Sequence, residues 1–209
     1  MPAAPLDARE RAQLCLRFDE LGPDAPTLCE GWTTFDLAAH LAIRERNPVA
    51  AIGIIAGPLS SLADKGMARE KRRGYAAVVD RVRTGPPLGP FAVPGLRQQI
   101  NLIEYVVHHE DVRRANGMGP RADIDDVQDV VWGMVRRLAR FAIRGVPKGL
   151  GIELARPGGD VAAVRSGDRT ARVTGDPVEV LLWAYGRGDR AEVERSGAVD
   201  ELATVRLGI

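Results

Sequence analysis

A segment rich in acidic and histidine residues begins at Asn101 and has the sequence NLIEYVVHHEDVR. Within it, Glu104, His108 and Asp111 stand at positions i, i+4 and i+7 of a predicted helix, which span about 60° of arc. Carboxylate and imidazole groups on one helix face are suited to hold a metal ion. Arg97 and Asn101 share this arc, so we predict that they contact an anionic cofactor or ligand.

A metal site that leaves room for water or substrate commonly uses three side-chain ligands. Glu104 and His108 could supply two, and His40 is the only histidine outside the segment. Antiparallel packing of the two helices could bring His40 opposite this pair. His109 points about 140° away from Glu104 and is predicted to lie on the outer face of the helix. We predict that Asp111, one turn beyond His108, orients an imidazole or takes part in proton transfer.

Other interpretations of these residues remain open at this point. The acid–histidine pair could do no more than stabilise its own helix, and His40 could be a solvated residue on a polar helix face. Asp111 could belong to a surface charge cluster with two neighbouring arginines. A metal could also be purely structural, with Asp36, one turn before His40, as a fourth ligand.

The periodicity of apolar residues and the positions of Gly and Pro predict the elements that carry these side chains. Helices are predicted at 5–21, 33–46, 48–56, 60–83, 95–115 and 124–144. After residue 145 the pattern changes to short alternating segments, which predict strands at 151–155, 160–164 and 170–174, a helix over 176–185 and a short final element at 197–206. We therefore predict an α+β chain with a helical metal-binding domain at 1–145 and a small α/β domain at 146–209.

The composition narrows the class of protein. The 209 residues carry a formal net charge of +1, without the basic excess of most nucleic-acid-binding proteins. Cys15 and Cys29 form no Cys-x-x-Cys pair and are predicted to be reduced. The N-terminus lacks the apolar core of a signal peptide, and the longest apolar run is too short to span a bilayer. We expect a cytoplasmic protein that binds neither nucleic acid nor membrane.

Two motifs taken together resemble a known family. The first is Gly31-Trp32-Thr33-x-x-Asp36-Leu37-x-x-His40-Leu41, and the second is Glu104-x-x-x-His108-x-x-Asp111. They resemble the mycothiol-dependent maleylpyruvate isomerase family of the DinB-like superfamily, and within it a metal-binding subfamily. The segment 173–187 is similar to the small C-terminal domain of the same proteins.

The resemblance implies a fold, a cofactor and a chemistry. The fold would be an N-terminal DinB-like four-helix bundle followed by a small α/β domain similar to sterol carrier proteins. A divalent metal, usually zinc, would be held by two histidines and a glutamate, which correspond to His40, Glu104 and His108. The protein would then be an isomerase or thiol transferase that uses mycothiol on a small electrophilic substrate, and it could form a homodimer. Arg187 is the nearest match to a substrate-binding arginine, although a role at a helix C-terminus explains it as well.

A non-catalytic function is the main alternative. The helical part would then be a scaffold, and the small domain would bind an apolar molecule or a partner protein, with a structural metal or none. Val180, Leu181, Leu182 and Trp183 could line a cavity for such a ligand, although a core helix accounts for the same pattern.

Overall fold

The computed structural model describes residues 4–47, 60–87, 96–142 and 146–202. These ranges contain seven α-helices, four strands and one short 3-10 helix. The helices are α1 (Leu6–Leu21), α2 (Thr34–Arg46), α3 (Ser60–Lys71), α4 (Tyr75–Thr84), α5 (Leu96–Ala115), α6 (Asp125–Ala142) and α7 (Pro177–Ala184). The strands are β1 (Leu150–Ala155), β2 (Val161–Arg165), β3 (Arg169–Thr174) and β4 (Glu194–Gly197), and Val199–Glu201 forms the 3-10 helix. The α+β class predicted from the sequence is confirmed.

Helix α2 begins at a capping box formed by Thr33 and Asp36. The Thr33 hydroxyl accepts the backbone N–H of Asp36, and the Asp36 carboxylate accepts the backbone N–H of Thr33 at 3.1 Å. Such a cap stabilises a helix by about 1 kcal/mol. Lys71 at the end of α3 lies 2.6 Å from the other oxygen of Asp36. These contacts fix where α2 starts, and they thereby fix which face of α2 carries His40.

The prediction of a single helix over 60–83 is wrong, because the structure has two helices, α3 and α4, in this range. Gly74 separates them with φ 85° and ψ 153°, a conformation that residues with a Cβ rarely adopt. The turn brings Glu70 of α3 against Arg81 of α4 as well as against Arg73. An isolated glycine in a charged helical pattern gives little warning of such a break.

The chain divides into two compact units, and the first is Met1–Gly119. In it α1 packs along α5, α2 packs against α3 and α4, and α4 also contacts α1. The largest fully buried side chains of this unit include Leu14, Phe18, Leu37, Leu41 and Tyr105. Each such side chain contributes about 1.5–3 kcal/mol through burial. The apolar core thus fixes the relative positions of α2 and α5, which carry the candidate ligands.

In the second unit, Pro120–Ile209, α6 packs against α7 and against strand β2 of a four-stranded sheet. The strand order is β2-β1-β3-β4, with β1 and β3 parallel and the other neighbours antiparallel. β4 is exposed along its whole length, so it lacks the alternation that would have predicted it. The side chains at 180–183 of α7 are at most 3% exposed. They therefore form part of the core of this unit. This agrees with the core helix that the sequence offered as the alternative to a cavity lining.

The second unit includes α6 together with the sheet, whereas the sequence placed the domain boundary at 145, after this helix. The division into 1–145 and 146–209 stays a prediction, as does the likeness of the small domain to sterol carrier proteins. The helix predicted at 48–56 and the last residues of the element predicted at 197–206 lie outside the described residues. Among the helices that the structure describes, none is both long and apolar enough to cross a membrane.

Candidate metal centre

His40, Glu104 and His108 converge within the helical unit. α2 carries the first of them and α5 carries the other two. One potential ligand atom from each residue lies within 4.8 Å of those of the other two. The imidazole rings of His40 and His108 meet edge to face, with centroids 5.3 Å apart and an interplanar angle of 74°. Two nitrogens and a carboxylate oxygen so close together form a donor set that suits Zn²⁺.

Glu104 is the most accessible of the three, with 33% of its side chain exposed. Its Oε2 lies 3.6 Å from His108 Nε2 and 3.4 Å from Arg44 Nε. Burial by itself would raise the pKa of this carboxyl, but the close contact with His108 and the charge of Arg44 hold it below its usual range. Glu104 is therefore an anion at neutral pH, as a metal ligand has to be.

His40 is a neutral imidazole at the same pH. The residue is 7% exposed, and the ring of Trp32 stands 5.1 Å from its own ring. Burial, reinforced by the nearby charge of His108, lowers the pKa of His40 to about 3. The ring therefore keeps a nitrogen lone pair that a metal ion could use.

The two nitrogens of His108 face different carboxylates. Nε2 faces Glu104, whereas Nδ1 lies 2.9 Å from Oδ2 of Asp111. Burial would lower the pKa of His108, but its contacts with Asp111, Cys29 and Glu104 raise it well above its ordinary value. The centre therefore favours a positive charge between its two carboxylates. A bound cation fits this electrostatic requirement as well as a proton does.

A buried polar pair supports Glu104 from the side. Arg44 is 8% exposed, and its Nη1 donates to Oδ1 of Asn101 at 3.1 Å. Asn101 is fully buried, and it accepts this hydrogen bond in the interior of the unit. Its predicted contact with a cofactor stays a prediction. Arg97 lies on α5, but its side chain is outside the described part of the chain.

His109 was predicted to lie on the outer face of its helix, and this is wrong. The residue is 2% exposed, and its Nδ1 lies 3.3 Å from Oε2 of Glu10 on α1. The helical spacing correctly separates His109 from Glu104, but it does not show that α1 packs over the other face of α5.

Two alternative interpretations of the acidic residues do not agree with the structure. Asp111 is fully buried, so it does not belong to a surface charge cluster. Asp36 caps α2 and contacts Lys71, and among the described residues it joins neither group of potential metal ligands. In the second unit, Arg187 donates from Nη1 to the carbonyl of Tyr185 at 2.6 Å, at the end of α7. This contact agrees with the helix-end role that the sequence left open.

Two residues of this centre, Arg44 and Cys29, were not among the residues predicted from the sequence, and Cys29 is the one that offers a further ligand atom. Its Sγ lies 3.3 Å from Asp111 Oδ2 and 4.0 Å from His108 Nδ1. Its position depends on the loop before α2, where the N–H of Leu28 donates to the carbonyl of Asp111 at 3.2 Å. No local sequence pattern could have shown a contact between residues so far apart in the chain.

Known proteins share both the sequence pattern and the fold of this chain. Residues 6–142 match the model of the mycothiol maleylpyruvate isomerase N-terminal domain. The structure resembles crystal structures of the mycothiol-dependent maleylpyruvate isomerase and of its histidine-to-alanine variant, at 18% and 17% sequence identity. In both comparisons the TM-score is 0.57, and the match covers 91% of this chain and 90% of the other. No curated protein matches the chain. Because the family match spans more than half of the sequence, the chain belongs to the mycothiol maleylpyruvate isomerase N-terminal domain family.

Proposed function

We propose that this protein is a zinc- and mycothiol-dependent enzyme that adds a thiol to a small electrophilic substrate. The convergence of His40, Glu104 and His108 from two helices is the observation that carries the proposal. Membership of the family supports the thiol cofactor, and the solved structures of similar fold belong to a mycothiol-dependent enzyme.

The donor set fits a catalytic cation. Zn²⁺ in enzymes is commonly held by three side chains of histidine and carboxylate type, with one position left for water or substrate. His40, Glu104 and His108 would hold it here. When bound, such a cation lowers the pKa of a thiol or water that it coordinates, and it thus supplies a nucleophile near neutral pH.

Neighbouring side chains position two of the three ligands. Asp111 accepts a hydrogen bond from His108 Nδ1, which fixes the ring and leaves Nε2 facing Glu104. Arg44 holds Glu104 from the side and favours its anionic form. We therefore assign Asp111 and Arg44 as positioning residues. Direct proton transfer to substrate by Asp111 is not part of the proposal, because its side chain is fully buried.

The reaction is an isomerisation or a thiol transfer, because both can begin with the addition of a thiol to an electrophile. Arg97 and Asn101, predicted to contact the thiol or the substrate, belong to the same helix as Glu104 and His108. We expect the protein to act in the cytoplasm, where small thiols stay reduced. Its assembly as a homodimer stays a prediction.

Elemental analysis of purified variants tests the proposal. The wild type should carry about one zinc per chain, and His108→Ala should lose most of it. His109→Ala is the matched control, because it removes the adjacent imidazole, which contacts Glu10 instead. A screen for mycothiol-dependent turnover should then show activity in the wild type and in the control alone. Wild-type protein that is purified gently and takes up no zinc would contradict the proposal.

The non-catalytic alternative has no comparable support. The apolar residues at 180–183 that could have lined a cavity are packed in the core of the second unit. Native mass spectrometry that finds a retained apolar ligand and no metal would favour this alternative.

A further inference from the structure

A second group of potential metal ligands lies on the other side of His108. Cys29, His108 and Asp111 each offer one ligand atom, and these atoms lie within 4.8 Å of one another. We propose that Cys29 Sγ, His108 Nδ1 and Asp111 Oδ2 form a second position for a thiophilic divalent cation. This position uses Nδ1 of His108, whereas Nε2 of the same ring faces Glu104. The proposal does not require that the first position be catalytic.

The loop before α2 holds Cys29 against α5. The N–H of Leu28 donates to the carbonyl of Asp111, and the N–H of Cys29 donates to Oγ1 of Thr27 at 3.2 Å. The carbonyl of Cys29 accepts the N–H of Trp32 at 3.0 Å. The backbone is therefore bound on both sides of the cysteine. Neither Cys29 nor the other cysteine of the chain forms a disulfide, so Cys29 is a free thiol that can ligate a metal after it loses its proton.

The distances within the group are close to those of tetrahedral coordination. Bonds of about 2.3 Å to sulfur and about 2.0–2.2 Å to nitrogen or oxygen place ligand atoms about 3.3–3.6 Å apart. Sγ–Oδ2 is 3.3 Å, Nδ1–Oδ2 is 2.9 Å and Sγ–Nδ1 is 4.0 Å. Shifts of about 0.5 Å or less would bring all three pairs into this range. Cys29 is only partly buried, which leaves a path for the ion from solvent.

The shared imidazole makes the two positions alternatives. A neutral imidazole has one nitrogen lone pair available for a metal, because the other nitrogen carries a proton. A single cation can then be held with two imidazoles and a carboxylate, or with a thiolate, an imidazole and a carboxylate. Because thiolate is a soft ligand, the second position favours Zn²⁺, Co²⁺ or Cd²⁺ over Mg²⁺ or Ca²⁺.

Titration with Co²⁺ tests the second position directly, because a thiolate ligand produces a charge-transfer absorption that nitrogen and oxygen ligands do not. His40→Ala removes the first set and leaves the second intact, so this variant should bind about one Co²⁺ per chain with the thiolate absorption. Glu104→Ala should behave in the same way. In the His40→Ala background, Cys29→Ser should abolish the absorption and weaken binding by more than about tenfold. Cys15→Ala in that background is the matched control and should keep the absorption, because Cys15 lies in the core beside Val79.

A folded His40→Ala variant that binds Co²⁺ without the thiolate absorption, or binds none, would overturn the proposal. Circular dichroism checks that the variant is folded, and Glu104→Ala repeats the test with a different residue. Failure of the proposed function has a different signature. In that case the Cys29→Ser single variant binds no Co²⁺, while the wild type binds it with the thiolate absorption.

Discussion

Replacement of Asp111 by asparagine tests whether this buried carboxylate orients the imidazole of His108, one of the three proposed metal ligands. The change keeps the shape of the side chain and removes its charge. Asp111 is fully buried, and its Oδ2 lies 2.9 Å from His108 Nδ1. Because the same oxygen also contacts Cys29, the change should be made in a Cys29→Ser background. Only the position formed by His40, Glu104 and His108 then contributes to the measured affinity.

The expected effect follows from two independent estimates. A hydrogen bond to a charged group contributes about 1.5–3 kcal/mol net. Loss of an outer partner of a metal-bound histidine typically lowers metal affinity by about 10–100-fold, which corresponds to about 1.4–2.7 kcal/mol. The two ranges overlap, so we expect the dissociation constant for Zn²⁺ to rise by about 10–100-fold.

Competition with a chromophoric zinc chelator at fixed pH measures this constant. Asp125→Asn in the same background is the control, because Asp125 is an exposed acid in the first turn of α6. It should leave the constant unchanged. If Asp111→Asn remains folded and changes the constant by less than about threefold, Asp111 does not orient His108 and the assignment fails.

Three further predictions concern the scaffold and the thiols. Gly74→Ala should lower the free energy of unfolding by about 1–3 kcal/mol, because φ at this position is 85°. Gly133→Ala should raise the free energy of unfolding by about 0.5–1 kcal/mol, because Gly133 lies within α6 and has open space for a Cβ. Chemical denaturation measures both changes. Thr33→Ala should lower the free energy of unfolding by about 1 kcal/mol through loss of the capping box, and Thr33→Ser should restore most of this in the same assay. Because burial raises the pKa of Cys15 to about 12, its thiol stays protonated at pH 8, and native protein treated with iodoacetamide should gain at most one adduct by mass spectrometry, at Cys29. Alkylation of Cys15 in folded protein would contradict the buried position of that thiol.

The sequence could predict the part of the site that depends on one helix. Glu104 and His108 are four residues apart, so helical geometry alone places them on one face. His40 could be proposed because the chain offers no other distant histidine. Its approach to the pair depends on how α2 and α5 pack, and that needed the structure.

Two features lay beyond any local pattern. Cys29 reaches the site because Leu28 donates a backbone hydrogen bond to Asp111 across the fold. His109 is buried because α1 covers the face of α5 that the helical wheel assigned to solvent. In both cases the contact joins segments distant in sequence, so neither periodicity nor capping rules could indicate it. The break at Gly74 was not predicted for a different reason. A lone glycine permits a positive φ but does not require one, so the sequence alone could not show that the helix ends there.

The burial of charge around His108 argues that this centre serves chemistry more than stability. Each buried charge costs several kcal/mol of desolvation, and well-packed apolar residues would often be no less stabilising than a buried ion pair. Yet Asp111 is completely buried, and Arg44 and His108 are at most 9% exposed. Their contacts converge on Glu104 and on the two nitrogens of one imidazole. The contacts hold the imidazole of His108 in place, while the carboxylate of Glu104 stays partly accessible. This arrangement is expected where a cation must be held and still be reached from solvent.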